Sequence, residues 1–152
     1  MAAANNTDII DLVLQDHHDV AELFDNLQAA KGADAQATLF AQVKETLERH
    51  ASAEEKVLYP RVRKDAPEGR EEVKDAKEEH DEIRESLKEV EEHEAGTELF
   101  RLAVAQLVAT TKHHVGVEEA ELLPDFRAHS EAAEREELGQ RFVEAKTKVA
   151  IS

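Results

Sequence analysis

The sequence predicts an all-α protein, a four-helix bundle assembled from two helix hairpins of the same design. Three observations predict it. Charged residues make up 36% of the chain, and only 5 Gly and 3 Pro interrupt it, a composition suited to long helices. Apolar residues recur at steps of three and four along four successive stretches, the spacing of one helix face. The second half also repeats the first: His17 precedes His80 by 63 residues, and His50 and Glu54 precede His114 and Glu118 by 64. Two such hairpins, each too short to bury its own apolar faces, would pair about an approximate two-fold axis.

The first helix follows the cap candidates Asn5, Asn6, Thr7 and Asp8, carries Ile9, Ile10, Val13, His17, Val20, Phe24 and Leu27 on one face, and stops at Gly32. The second runs from near Asp34 through Leu39, Val43, Leu47, His50, Glu54, Val57 and Leu58. Pro60 is expected to bend its end, and residues 65–69 form the connection. The third begins near Glu68, presents Val73, Ala76, His80, Ile83, Leu87 and Val90, and ends before Gly96. Thr97 caps the fourth, whose inner face reads Leu99, Ala103, Leu107, Thr110, His114, Glu118 and Leu122, with Pro124 late in it. A shorter C-terminal segment, about 130–150 and capped by Ser130, holds Leu138, Phe142 and Val149 and is expected to pack across the bundle of residues 8–127. The 152 residues are read as a single domain.

Composition excludes several classes. The formal charge of −16 disfavours nucleic acid and anionic membranes as partners. No apolar run approaches the ~20 residues of a membrane span, and the N-terminus has no signal-peptide pattern, so a cytoplasmic location is expected. There is no cysteine, so a metal here would use nitrogen and oxygen ligands. No HExxH, phosphate loop or serine elbow is present.

The polar residues on the apolar faces carry the chemistry. Residues four apart on a helix share a face, so His50 with Glu54, and His114 with Glu118, each aim an imidazole and a carboxylate at one point. A third His-x-x-x-Glu match, His18 with Glu22, falls on a polar face and reads as solvated. Burying unpaired carboxylates is costly, so such groups are paired or bound to metal; the alternative is a buried His–Glu hydrogen-bond network. With His17 and His80 added, four imidazoles and two carboxylates meet between helices. Such a set suits iron, manganese, zinc or copper. Two bridging carboxylates and four imidazoles fill eight of the ~12 positions of two six-coordinate metals, leaving room for reaction.

The order His17, His50-x-x-x-Glu54, His80, His114-x-x-x-Glu118, with Glu-Glu-x-x-Leu-Tyr-Pro and Glu-Glu-x-x-Leu-Leu-Pro around the pairs, resembles the hemerythrin-like HHE cation-binding family over about residues 8–127. The resemblance implies an up-down-up-down four-helix bundle holding two iron ions, oxo- or hydroxo-bridged. His17, His50, His80 and His114 would be terminal ligands, and Glu54 and Glu118 the bridges. The oxygen-carrying members place a His-x-x-x-His pair on the third helix. Here the positions four before and four after His80 are Ala76 and Arg84, so one nitrogen ligand is missing and reversible oxygen carriage is put in doubt. A ferritin-like site would need Glu-x-x-His pairs, and the chain has none.

Tyr59 is an auxiliary candidate for the open position, although roughly 140° from Glu54 on an ideal α-helix; otherwise it is an apolar plug matching Leu123. Glu55 and Glu119 are candidates to orient imidazoles, and so is His113, while His93 and His129 read as surface residues. The expected function is reaction with hydrogen peroxide or dioxygen, catalase-like, in oxidative-stress defence or iron homeostasis. The alternatives are a non-catalytic protein that binds or senses oxygen, nitric oxide or iron, and a metal-free helical interaction module. A monomer or weak homo-oligomer is expected.

Overall fold

The computed structural model describes residues 7–148, which are helical apart from short connections and caps. Helix α1 spans Ile9–Ala29, α2 Ala33–Ala53, α3 Tyr59–Asp65, α4 Gly69–Glu91, α5 Glu98–Val117, α6 Leu123–Ala128 and α7 Ala132–Thr147. Two π-helical turns, Glu54–Leu58 and Glu118–Leu122, join α2 to α3 and α5 to α6 without a break. Helix α1 packs on α2 and α5, α4 packs on α5, and α7 lies against α1, α2 and the first π-turn. The result is a helical bundle.

Local chemistry sets the boundaries. Asp8 caps α1, its Oδ1 accepting from Ile10 N at 2.9 Å, and Thr97 Oγ1 caps α5 by accepting from Phe100 N at 3.2 Å. Asn5, Asn6 and Val149 lie outside the described residues. Gly32 and Gly96 take the positive φ angles of 102° and 87° that other residues resist. Between them the buried Gln36 ties the two chain reversals, donating to Ala30 O at 3.2 Å and accepting from Gly96 N at 2.7 Å. The cap of α7 is Glu131 rather than Ser130, because the Ser130 hydroxyl is turned back to donate to Phe126 O at 2.6 Å.

At Pro60, where a bend is expected, and at Pro124 a π-turn precedes the proline. Proline has no N–H for the carbonyl four residues back, and its ring crowds that carbonyl. The chain widens by one residue immediately before each proline instead, Tyr59 N–H bonding to Glu54 O and Leu123 N–H to Glu118 O, the i→i+5 pattern of a π-turn. Pro60 and Pro124 then sit in the first turns of α3 and α6, where a missing N–H costs nothing.

The predicted faces of α1 and α4 are buried at every position. That of the fourth predicted helix is buried at Ala103, Leu107, His114, Glu118 and Leu122 and departs at two positions. Leu99 is exposed and Thr110 only partly buried, while Phe100, Val104, Val108 and Thr111 turn inward. Helix α5 faces a broad apolar cluster there, and buried Thr111 satisfies its hydroxyl by donating to Leu107 O at 2.8 Å. On α2, Leu39 is partly buried and Phe40 fully so.

Two apolar clusters divide the interior. One gathers Ile9, Val13, Leu58, Val62, Val73, Leu122 and Phe126 with Leu138 and Phe142 of α7. The other gathers Val20, Phe24, Val43, Leu87, Val90, Phe100 and Leu107. Along α1 the chain passes from Val13 in the first, through His17, to Val20 in the second; α2, α4 and α5 cross the same level at His50, His80 and His114. The bundle therefore contains one buried polar layer between two apolar ones.

Candidate metal centre

All six residues singled out for a metal meet in that layer and are buried: His17, His50, Glu54, His80, His114 and Glu118, with Glu54 at 0% exposure and Glu118 at 1%. Glu54 Oε1 lies 3.2 Å from His50 Nε2, 3.0 Å from His80 Nε2 and 3.9 Å from His114 Nε2. Glu118 Oε1 lies 3.1 Å from His17 Nε2, and Oε2 3.5 Å from His114 Nε2. These residues form two groups with converging ligand atoms, one of His17, His50, Glu54 and Glu118, the other of Glu54, His80 and His114. Glu54 belongs to both.

Tyr59 is in the layer as well. The π-turn cancels the offset expected of an ideal α-helix, because i→i+5 bonding stacks residue 59 over residue 54. The phenol is fully buried, donates to Glu118 Oε2 at 2.6 Å, and lies 3.2 Å from both Glu54 Oε1 and His80 Nε2. Its ring stacks on that of His80 with centroids 5.4 Å apart. An apolar plug would have offered those carboxylates no hydroxyl donor.

Every imidazole is held from behind. His17 Nδ1 meets Glu119 Oε2 at 2.7 Å, His50 Nδ1 meets Asp16 Oδ2 at 2.8 Å, His80 Nδ1 meets Glu55 Oε2 at 2.7 Å, and His114 Nδ1 meets Glu79 Oε1 at 2.8 Å. In each pair the two residues come from different elements, and Nε2 is the nitrogen left facing inward. Glu55 and Glu119 were legible as orienting groups; Asp16 and Glu79 were not. A signal existed, since an acid immediately precedes the first His of each repeat, Asp16 before His17 and Glu79 before His80. It reads as a surface acid because it braces the imidazole of the next long helix, not its own neighbour. His113 is exposed and reaches Glu79 from outside at 3.4 Å. His18 pairs with Glu22 in solvent at 2.9 Å, and His129 is exposed, bonded to Asp125 O at 2.9 Å.

The electrostatics are those of a coupled cluster. Burial by itself would lower His50, but the charge of Glu54 and the bond to Asp16 outweigh it and push it up to about 10. For His114 burial is likewise outweighed, by nearby Glu54 and the bond to Glu79, and it too is pushed up to about 10. Burial would raise Glu54, yet His50 and the bonds from His114 and His80 hold it well below the usual range. Tyr59 is raised well above its ordinary value by burial and by the charges of Glu118 and Glu54.

The donor set fits a metal. Buried polar atoms normally have partners. Here His17 Nε2, His50 Nε2, His114 Nε2, Glu54 Oε2 and Glu118 Oε1 are buried in one layer, within ion-pair reach of one another in part, yet none makes a well-directed hydrogen bond. Imidazole nitrogen and carboxylate oxygen without thiolate is the chemistry of first-row transition metals.

Next to the layer, α4 and the second π-turn leave a cleft of about 50 Å³ lined by Glu72, Asp75, Glu79 and Glu121. Burial, a hydrogen bond with Asp125 and the charges of Asp125, Glu121 and Glu68 push Glu72 up to about 7. A raised carboxyl binds its proton more tightly in the folded state, so between its ordinary value of 4.5 and about 7 stability falls as pH rises. Glu72→Gln is therefore expected to melt with the wild type at pH 4.5 and above it at pH 8. A pH-independent offset in thermal melts would contradict this.

The helical scaffold and the buried thiol-free layer of imidazoles and carboxylates together define a class, the non-haem metal-binding helical bundles. The chain belongs to the hemerythrin family: the model of the Hemerythrin HHE cation binding domain matches residues 8–126. A curated relative, a protein named DNA nickase from Nostoc sp. (strain PCC 7120 / SAG 25.82 / UTEX 2576), is 31% identical over 141 residues, covering 93% of this chain and 40% of that protein. This chain thus spans well under half of its relative's length. No solved structure shows a significant match. Among the described residues no helix is long and apolar enough to cross a membrane.

Proposed function

We propose that the layer holds two iron ions and that the protein decomposes hydrogen peroxide in a catalase-like way, two peroxides yielding dioxygen and two waters. His17 and His50 would serve one iron, His80 and His114 the other, and Glu54 and Glu118 both, Glu54 shared between the two groups and Glu118 weighted toward the His17–His50 side, in an up-down bundle that forms one domain with α7. The carrying observation is the set of five buried polar atoms that gather around a cysteine-free centre without a well-directed hydrogen bond. When bound, the metal pair supplies the two-electron exchange between peroxides.

The chain's own residues supply the rest. The Nδ1 carboxylates fix the four imidazoles. Tyr59 holds a proton 2.6 Å from Glu118 Oε2, where it can be lent to an oxygen leaving as water. Val20, Leu47, Ile83, Thr111 and Val115 line a cavity of about 20 Å³ against the imidazoles, about the space of one water-sized molecule. This favours peroxide, dioxygen or nitric oxide and excludes larger substrates. The nickase named above is not carried over, because a chain of net charge −16 repels duplex phosphates. A cytoplasmic location and a monomer or weak homo-oligomer complete the reading.

Oxygen evolution from peroxide by the iron-loaded protein tests the proposal, with His114→Ala as control. Turnover no faster than that of free iron would overturn the catalytic reading. A reversible optical change on cycling oxygen would then select the binding and sensing alternative.

A further inference from the structure

One brace in the metal layer comes from outside the residues that the family model matches. Asp16, which holds His50 Nδ1, receives Lys146 Nζ of α7 on both its oxygens, at 2.9 and 3.0 Å. One turn earlier, buried Phe142 sets its ring edge-on to His50, with centroids 5.8 Å apart, and Lys146 Nζ lies 5.0 Å over the same ring. Arg49, the residue before His50, donates to Lys146 O at 2.6 Å. The family match ends at residue 126, so Phe142 and Lys146 lie beyond it.

Helix α7 is firmly placed. Arg135 Nε bonds Asp8 Oδ2 at 2.8 Å, and Arg61 of α3 pairs with Glu134. At Gly139 a Cβ would stand 1.5 Å from Thr7 O, so only glycine permits this approach.

Comparison within the site shows what the lysine adds. Behind His80, Arg84 grips Glu55 in a similar two-oxygen fashion, at 3.1 and 3.2 Å. Each group of converging ligands thus contains one imidazole whose carboxylate is clamped by a cation, His80 in the group with His114 and His50 in the group with His17. For His80 the clamp comes from the same long helix of the bundle, one turn on; for His50 it comes from α7. A carboxylate held at both oxygens cannot swing into solvent, so it fixes the plane of the imidazole it bonds, and partners of this kind are typically worth 10–100-fold in metal affinity.

We infer that α7 is a working part of the metal centre, with Lys146 and Phe142 as positioning residues that lock His50 through Asp16 and set the affinity of the His17–His50 half. This rests on the metal reading proposed above. It is specific to one half of the centre, which a general packing role for α7 would not be.

The test uses full-length protein and Co²⁺, whose visible bands report each site as it fills. Wild type is expected to fill two sites, and His17→Ala identifies which bands belong to the His17–His50 half. Lys146→Met is expected to weaken that half about 10-fold, leave the other half unchanged, and keep the metal-free melting temperature within about 3 °C, since a partly exposed ion pair adds little stability. Lys146→Arg should restore the affinity, and Arg84→Met should weaken the opposite half. Unchanged isotherms for Lys146→Met, or equal weakening of both halves, would overturn the inference. Absence of Co²⁺ binding by wild type would instead overturn the metal reading beneath it, and is seen before any variant is compared.

Discussion

If the layer holds two metals as proposed, Glu54→Ala is expected to strip the protein of both, whereas Glu118→Ala leaves the His80–His114 half with a carboxylate. The asymmetry follows from geometry. Glu54 Oε1 approaches imidazoles on α2, α4 and α5 and belongs to both converging groups, while Glu118 belongs to one. Losing a ligand should cost more than the 10–100-fold that losing an outer partner costs, so little metal should survive a chelator wash. The metal-free variant should also be less stable. Glu54 is the shared partner of His50, His80 and His114 in the buried layer, and leaving buried polar groups without their partner costs about 1–3 kcal/mol. Elemental analysis after dialysis against a chelator, beside a thermal melt, reads both effects. Wild-type stoichiometry in Glu54→Ala would remove Glu54 from the centre, and equal losses in the two variants would contradict the shared-ligand geometry.

Tyr59→Phe is expected to destabilise the metal-free protein by about 2 kcal/mol, the scale of a hydrogen bond to a buried charged group. For a chain of this size that is a fall of about 4–8 °C in melting temperature. Phe fills nearly the same volume, so packing is preserved and the loss isolates the hydroxyl. It would leave Glu118 Oε2 and Glu54 Oε1 without their shared donor. In the iron-loaded protein, any phenolate-to-iron band should vanish with the substitution. A melting temperature within 1 °C of wild type and an unchanged spectrum would reduce Tyr59 to the plug that its counterpart Leu123 suggests.

Much of the architecture was legible because the bundle obeys one period for most of its length. His17 and His80 stand in apolar rows that are buried at every position, so their inward direction could be read directly. The rest was hidden where that period fails or where partners come from other elements. At Glu54 and Glu118 the helix widens to a π-turn, and counting at ~100° per residue sends Tyr59 away from the site it completes. On α5 the row drawn back from His114 chose Leu99 and Thr110, although the apolar face is wide enough to shift by one residue. The braces Asp16 and Glu79 act across helices, a relation that spacing along one helix does not contain. Lys146 is further still, 130 residues from the aspartate it clamps.

The mismatch between Tyr59 and Leu123 also constrains how the centre came to be. A homodimer of identical half-chains would place two phenols at the metals or none, because its symmetry axis runs between them. A single phenol shared by Glu54 and Glu118 requires halves that differ, as they can within one chain. Carrying both hairpins in one chain therefore does more than tether them; it frees the centre from symmetry, so that its two halves can differ in reactivity through substitution at one position.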